Sequence, residues 1–370
     1  MIKSLYIHIP FCKQICTYCD FAKLVGNPSL MLEYTEALIK ELDYYSQDLT
    51  NIETIHIGGG TPSALPIELL QKLLIKLSHL FNLKSLKEFG MEANPNDISE
   101  ELVMLLKKYH VTRLSLGVES SNPLHLKAMN RSHTIHQVEE AVSLLHRHGF
   151  HNINLDFIYA WPQQTMEELK RDLRYALSLK PTHLSFYALI LEPKTKLYHD
   201  YINHEVALID EDTDASMYEY LLDELPKNGY NHYEISNFAL KGYESKHNLA
   251  YWNLDEYLGI GMGAHSQVDT KRFHNSTHIK EYLLNVENNH CGIESYDACD
   301  LIQETFLMGL RKVEGVNLTA VSNRFLINPL MLYPKILKNI EDHLLVVEND
   351  YLKLTQKGML LLNYVERSFI

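Results

Sequence analysis

Basic charge is scarce in this sequence: 34 lysines and arginines stand against 47 aspartates and glutamates, a formal net charge of −13. That balance excludes a surface that attracts nucleic acid or anionic lipid as a whole, so no nucleic-acid partner is expected and an anionic ligand needs a local basic pocket. Long apolar runs are missing too. No window approaches the roughly 18–20 uninterrupted apolar residues that span a bilayer. The stretch from Met1 to Pro10 alternates apolar and polar residues and is too short for a secretory apolar core. A cytoplasmic chain without an integral membrane segment is therefore expected, with peripheral membrane contact and homodimerisation left open. Repeats, low-complexity tracts and obvious flexible linkers are absent. Cysteine is also sparse, five in 370 residues, and an odd count is poor arithmetic for disulfides.

What the sequence does have is an ordinary globular composition, 46% hydrophobic and 22% charged, over a length that suits two or three domains. Short β-prone runs at 4–9, 54–57, 88–92, 113–117, 152–158 and 182–187 alternate with helical patterns at 30–45, 67–80, 99–109, 135–148, 166–179 and 213–228. Six βα units in series predict parallel strands, because each crossover helix returns the chain in the same direction. The fold class is α/β, a barrel or a doubly wound sheet. The repetition fills residues 1–230. Residues 231–295 show no clean period and are expected to be irregular. Residues 296–370 read as helices followed by a hairpin around Asn349-Asp350, a small winged-helix-like domain. Its lysines are matched by acidic residues, so a structural or docking role suits it better than DNA binding.

Three of the five cysteines, Cys12, Cys16 and Cys19, form a C-x3-C-x2-C run just after the first predicted strand. Such spacing lets one loop wrap three thiolates around one metal centre. A zinc site wants a fourth ligand, and no soft side chain follows at Asp20 or Phe21. A cluster with one open iron therefore suits the run best, beside a zinc site completed by one of the 20 histidines or three unconnected thiols. Gly58-Gly59-Gly60-Thr61-Pro62 follows the second strand and allows a ligand to approach bare backbone, or makes a tight turn. Glu92, Glu119 and Asp156 lie at the carboxyl ends of strands three, four and five, where active sites of αβ barrels gather. Carboxylates there suit hydroxyls or an ammonium group, and the guanidinium of Arg131 suits a carboxylate.

With the opening Tyr6-x-His8-x-Pro10-Phe11-Cys12, the cysteine run resembles the radical S-adenosylmethionine (SAM) superfamily over essentially the whole chain. The resemblance implies a partial, six-unit parallel β/α barrel. It implies a 4Fe-4S cluster on Cys12, Cys16 and Cys19, with SAM bound through its amino and carboxylate groups to the open iron. It places Tyr6, Tyr18, Gly59, Gly60, Thr61, Glu92, Glu119, Arg131 and Asp156 on SAM-contacting positions. Two departures stand out: Glu119 replaces the usual Gln, and Tyr159-Ala160-Trp161-Pro162-Gln163-Gln164-Thr165 lacks two glycines of the usual Tyr-Gly-Leu-Pro-Gly-Gln-Thr. Within the superfamily, Phe21 stands where the oxygen-independent coproporphyrinogen III oxidases carry a fourth cysteine. Phe21 and His247-Asn248-Leu249-Ala250-Tyr251-Trp252, an HNxxYW motif, resemble the HemW-type haem chaperones. That resemblance implies haem as cargo, His247 as its ligand and a respiratory haem protein as acceptor. Taken by itself, His247 in an aromatic segment reads first as a packing residue. The alternative activity is radical decarboxylation of coproporphyrinogen III propionates, and a third reading is a regulatory winged-helix protein with a vestigial cluster.

Overall fold

The computed structural model describes residues 1–291 and 297–370. Its first part alternates β1 (Ser4–Ile9), α1 (Pro28–Tyr44), β2 (Thr54–Gly59), α2 (Ile67–Leu80), β3 (Glu88–Ala93), α3 (Glu100–Lys108) and β4 (Arg113–Glu119). It continues through α4 (Pro123–Ala128), α5 (Ile135–Arg147), β5 (Ile153–Tyr159), α6 (Met166–Ser178), β6 (His183–Ala188), α7 (Lys196–Ile202) and α8 (Glu211–Lys227). Strands β1 to β6 pair in parallel and in chain order. No pairing joins β6 back to β1 among the described residues, so the barrel is open, the partial α/β barrel expected.

Side-chain alternation explains how the sheet is covered. Leu5, Ile7, Ile9, Ile55, Ile57, Phe89, Met91, Leu114, Leu116, Leu155, Phe157, Leu184 and Phe186 point to one face and join a single buried cluster with the helices. The other face carries Tyr6, His8, His56, Glu92, Ser115, Asn154, Asp156, Ser185 and Tyr187. A polar inner face of this kind makes a lined cavity instead of a packed barrel core.

Residues 231–291 correct the expectation of an irregular segment. They form β7 (Asn231–Glu234), β8 (Asn237–Ala239), α9 (Lys246–Trp252), β9 (Tyr257–Ile260), β10 (His265–Val268), β11 (Lys271–His274) and α10 (Ile279–Glu287). Strands of three or four residues are too short to show a period. β9 runs parallel beside β1, and the hairpin β7–β8 extends the opposite edge antiparallel to β6. The expected boundary between 295 and 296 lies outside the described residues. β12 (Asp297–Ala298) completes the sheet at the β11 edge.

The C-terminal domain has its own core, with Phe306, Val321, Ile336, Leu352 and Phe369 at its centre. Helix α11 (Leu301–Gly309) precedes β13 (Val316–Asn317), which pairs with the hairpin β14 (Leu345–Glu348) and β15 (Tyr351–Leu354). Positive φ at both Asn349 (50°) and Asp350 (71°) makes the expected tight hairpin turn. Among the described residues no helix is long and apolar enough to cross a membrane.

Candidate cofactor and metal centre

The cysteine loop leaves β1 at Pro10 and is closed at its neck by Cys12 N–H donating to Leu24 O (3.0 Å) and Leu24 N–H donating to Pro10 O (2.8 Å). Two short helices that the sequence pattern did not announce hold its tip. Thr17 N–H donates to Met129 O (3.1 Å) just past α4, and Leu197 N–H of α7 donates to Thr17 O (2.9 Å). Asn130 Nδ2 adds a bond to Ile15 O (2.7 Å). The glycine loop meets the cysteines from below: a Cβ on Gly60 would lie 2.7 Å from Pro10 O and 2.9 Å from Cys12 Sγ, and Gly59 has φ +118°. Only bare backbone fits there.

One cavity of about 570 Å³ is lined by Cys12, Cys16, Cys19, Tyr18, Gly59, Gly60, Thr61, Glu92, Glu119, Arg131 and Asp156. Eleven of the thirteen residues expected at the site are thus brought together. Among the described residues no three His, Cys, Asp or Glu side chains gather tightly enough to hold one metal ion. Burial raises the Cys12 thiol and pushes Cys19 up to about 11, so both thiolates gain from a cationic centre.

Arg131 joins the cysteines to the carboxylates. Its Nη1 lies 3.4 Å from Cys16 Sγ and 3.5 Å from Glu119 Oε1, and its Nη2 donates to Asn94 Oδ1 (2.6 Å) and Gly117 O (2.7 Å). Its guanidinium is committed to the wall, and Nε is buried without a partner. Glu119 sits past a β-bulge at φ +66°, 8% exposed. Burial raises its pKa against the pull of Arg131 and a hydrogen bond from Tyr18. Burial, then the charges of Glu119 and Glu92, push Asp156 up to about 7. Three carboxylates face one spent guanidinium, an arrangement that accepts hydrogen bonds from hydroxyls and favours a cationic ligand.

Tyr6 and His247 stand outside this lining. Tyr6 lies behind Gly58, its hydroxyl 3.0 Å from His8 Nδ1. His247 lies further from the site, and it does not present a free imidazole. It is 1% exposed, at the opposite end of the barrel from the cysteines, where α9 closes the floor over the first residues of β2 and β3. Nδ1 is 2.9 Å from Thr54 Oγ1 and Nε2 is 2.8 Å from the Tyr251 hydroxyl, so both nitrogens are taken. Ser245 and Asn248 of the same segment do line the cavity from below. His56, Asn94, Asn154, Ser185 and Tyr187 also line it and were not anticipated. For all but Asn94, the every-second-residue polar pattern of the strands was the available signal.

The fold and the three-cysteine cavity are those of a radical SAM protein: a family model described as the Radical SAM superfamily matches residues 6–176, and one described as the HemN C-terminal domain matches residues 296–361. The chain is similar to heme chaperone HemW of Lactococcus lactis, 41% identical over 99% of this chain and 97% of that one. The same protein of Bacillus subtilis is 36% identical over 100% and 99%. The solved structure of coproporphyrinogen III oxidase (HemN) from Escherichia coli shares the fold, with a TM-score of 0.86 at 22% identity over 100% of this chain and 90% of that one. The chain belongs to the HemW family of heme chaperones within the radical SAM superfamily.

Proposed function

We propose that this protein is a cytoplasmic haem chaperone that carries a 4Fe-4S cluster on Cys12, Cys16 and Cys19, binds SAM in the cavity beneath, and delivers haem to a respiratory haem protein. The observation that carries the reading is full-length similarity, at 41% and 36% identity, to proteins named heme chaperones. The cavity supports the cofactors. Cys12, Cys16 and Cys19 would hold the cluster, whose open coordination position would take the amino and carboxylate groups of SAM. Glu92, Glu119 and Asp156 would accept hydrogen bonds from ribose hydroxyls and balance the sulfonium charge, while Gly59 and Gly60 would give the ligand room.

Haem is a flat apolar ring with two carboxylates, and the surface around the cysteine loop offers both chemistries. Ile15, Phe21, Val25 and Ile190 are exposed there. A second cavity of about 460 Å³, on the outer side of the loop, is lined by Lys23, Lys127, Lys194 and Lys196. Phe21 itself lines the cofactor cavity in place of a thiol.

The test uses anaerobically reconstituted protein of known iron and sulfide content. Near-stoichiometric haem uptake in a Soret titration is expected, with release to an apo-haem protein and no protoporphyrinogen formed from coproporphyrinogen III, SAM and reductant. Many turnovers of protoporphyrinogen would sink the chaperone reading in favour of the oxidase.

A further inference from the structure

A continuous stack of rings runs from the HNxxYW helix to the cofactor cavity. The His247 ring lies on the His56 ring, centroids 5.3 Å apart and planes at 26°. His56 stacks in turn against Tyr6, at 6.3 Å and 11°. At the cavity end His56 Nε2 is 3.2 Å from Glu92 Oε1, while Glu92 Oε2 accepts from Gly59 N–H (3.1 Å). A carboxylate only accepts, so Nε2 carries a proton toward Glu92, and the other ring nitrogen is Nδ1. That Nδ1 is buried with no hydrogen-bond partner. Apart from the Glu92 bond, the orientation of His56 is therefore set by the rings packed against it.

His247 is well fixed for that task. Thr54 donates its hydroxyl proton to Ser4 Oγ (2.9 Å), so it accepts from Nδ1–H of His247, and Nε2 accepts from the Tyr251 hydroxyl. The Glu88 carboxylate anchors the segment further by accepting from Ser245 Oγ, Lys246 N–H and His247 N–H. Burial holds the imidazole below its ordinary pKa, which keeps it neutral.

We infer that His247 is a positioning residue of the cofactor cavity, holding His56 so that His56 aims Glu92 at the bound ligand, and that it is not a haem-iron ligand. The inference rests on the reading that the cavity holds SAM. His247→Ala removes both the stacking ring and the nitrogens, whereas His247→Phe keeps a ring that cannot ligate iron. The measurements are SAM affinity by calorimetry on cluster-loaded protein and haem affinity with its iron spectrum, for both variants. Expected are a loss of about tenfold in SAM affinity for His247→Ala, restoration to within about threefold by His247→Phe, and unchanged haem binding in both. Combined with Glu92→Gln, His247→Ala should cost little more SAM affinity, because its effect passes through Glu92. Loss of haem binding and an altered iron spectrum in both variants, with SAM affinity intact, overturns the inference and restores the ligand role. If His247→Ala does not fold, the haem titration of His247→Phe decides alone: retained haem and an unchanged iron spectrum support the inference, and their loss overturns it. Wild-type protein that binds no SAM removes the SAM reading itself, an outcome seen before any variant is made.

Discussion

Ala160 and Gln163 show how a departure visible in sequence gains physical meaning from the backbone. Both stand where the resembling sequences carry glycine, and both have left-handed backbones, φ +60° and +63°. A side chain in that region costs about 1–2 kcal/mol, which glycine escapes in part because it loses more entropy on folding. The two sites differ in compensation: Ala160 is 6% exposed and its methyl packs in the core, whereas Gln163 is exposed. Gln163→Gly is therefore expected to stabilise the protein by about 0.5–1 kcal/mol, and Ala160→Gly to be close to neutral. Urea unfolding checks this through the midpoint, and a lower midpoint for Gln163→Gly would show that its side chain has an unrecognised favourable role. His247 is the opposite case. Its identity was plain in the sequence, yet its surroundings were not, because Thr54 and Glu88 lie 193 and 159 residues away.

Among elements, length decided what could be read. The strand 4–9 and the helix 67–80 have the expected bounds, and the other long helices shift by one or two residues, because three or four turns of apolar periodicity leave little choice. Helices α4 and α7, of six and seven residues, escaped notice although they anchor the cysteine loop. The alternation of β1 to β6 predicts strands but not a polar cavity wall, since pattern alone does not say which face meets the helices. Helix α9 illustrates how such a short element is held. Seven residues do not sustain a helix alone, and the buried Glu88 carboxylate, 3% exposed, accepts three bonds at its N-terminal end. Glu88→Ala is expected to cost about 2–4 kcal/mol, since three donors lose a charged acceptor inside the barrel. Glu88→Gln, retaining one amide oxygen, is expected to cost less than half of that. Thermal unfolding of the two variants gives the comparison, and equal losses would mean that packing volume, not the carboxylate, holds the segment.

At the scale of the molecule, α9 is also where the two hydrophobic cores meet. It packs against α11, and the residues after α11 run along the β7 edge of the large sheet. There Ile235 N–H donates to Arg311 O (3.0 Å) and Val313 N–H donates to Tyr233 O (3.1 Å). The C-terminal domain thereby covers a strand edge that would otherwise be open to pairing with another chain. Arg311 makes the junction specific: its guanidinium lies 5.4 Å from the Trp252 ring centroid and 3.3 Å from Glu366 Oε1, while Lys312 Nζ donates to Asn253 Oδ1 (2.6 Å). The barrel floor is clamped from the far domain. Arg311→Met keeps most of the side-chain length and removes the charge, and Trp252→Leu removes the ring face. A double-mutant cycle of these two should give a coupling of about 0.5–1 kcal/mol, as for a partly buried cation over an aromatic ring. Hydrogen exchange is the sharper measurement, because a loosened clamp should speed exchange of the amides in 245–253 while leaving β1 to β6 protected. Uniformly faster exchange across both domains would instead place Arg311 in global stability, and unchanged exchange in 245–253 would show that the floor holds without the Arg311–Trp252 contact.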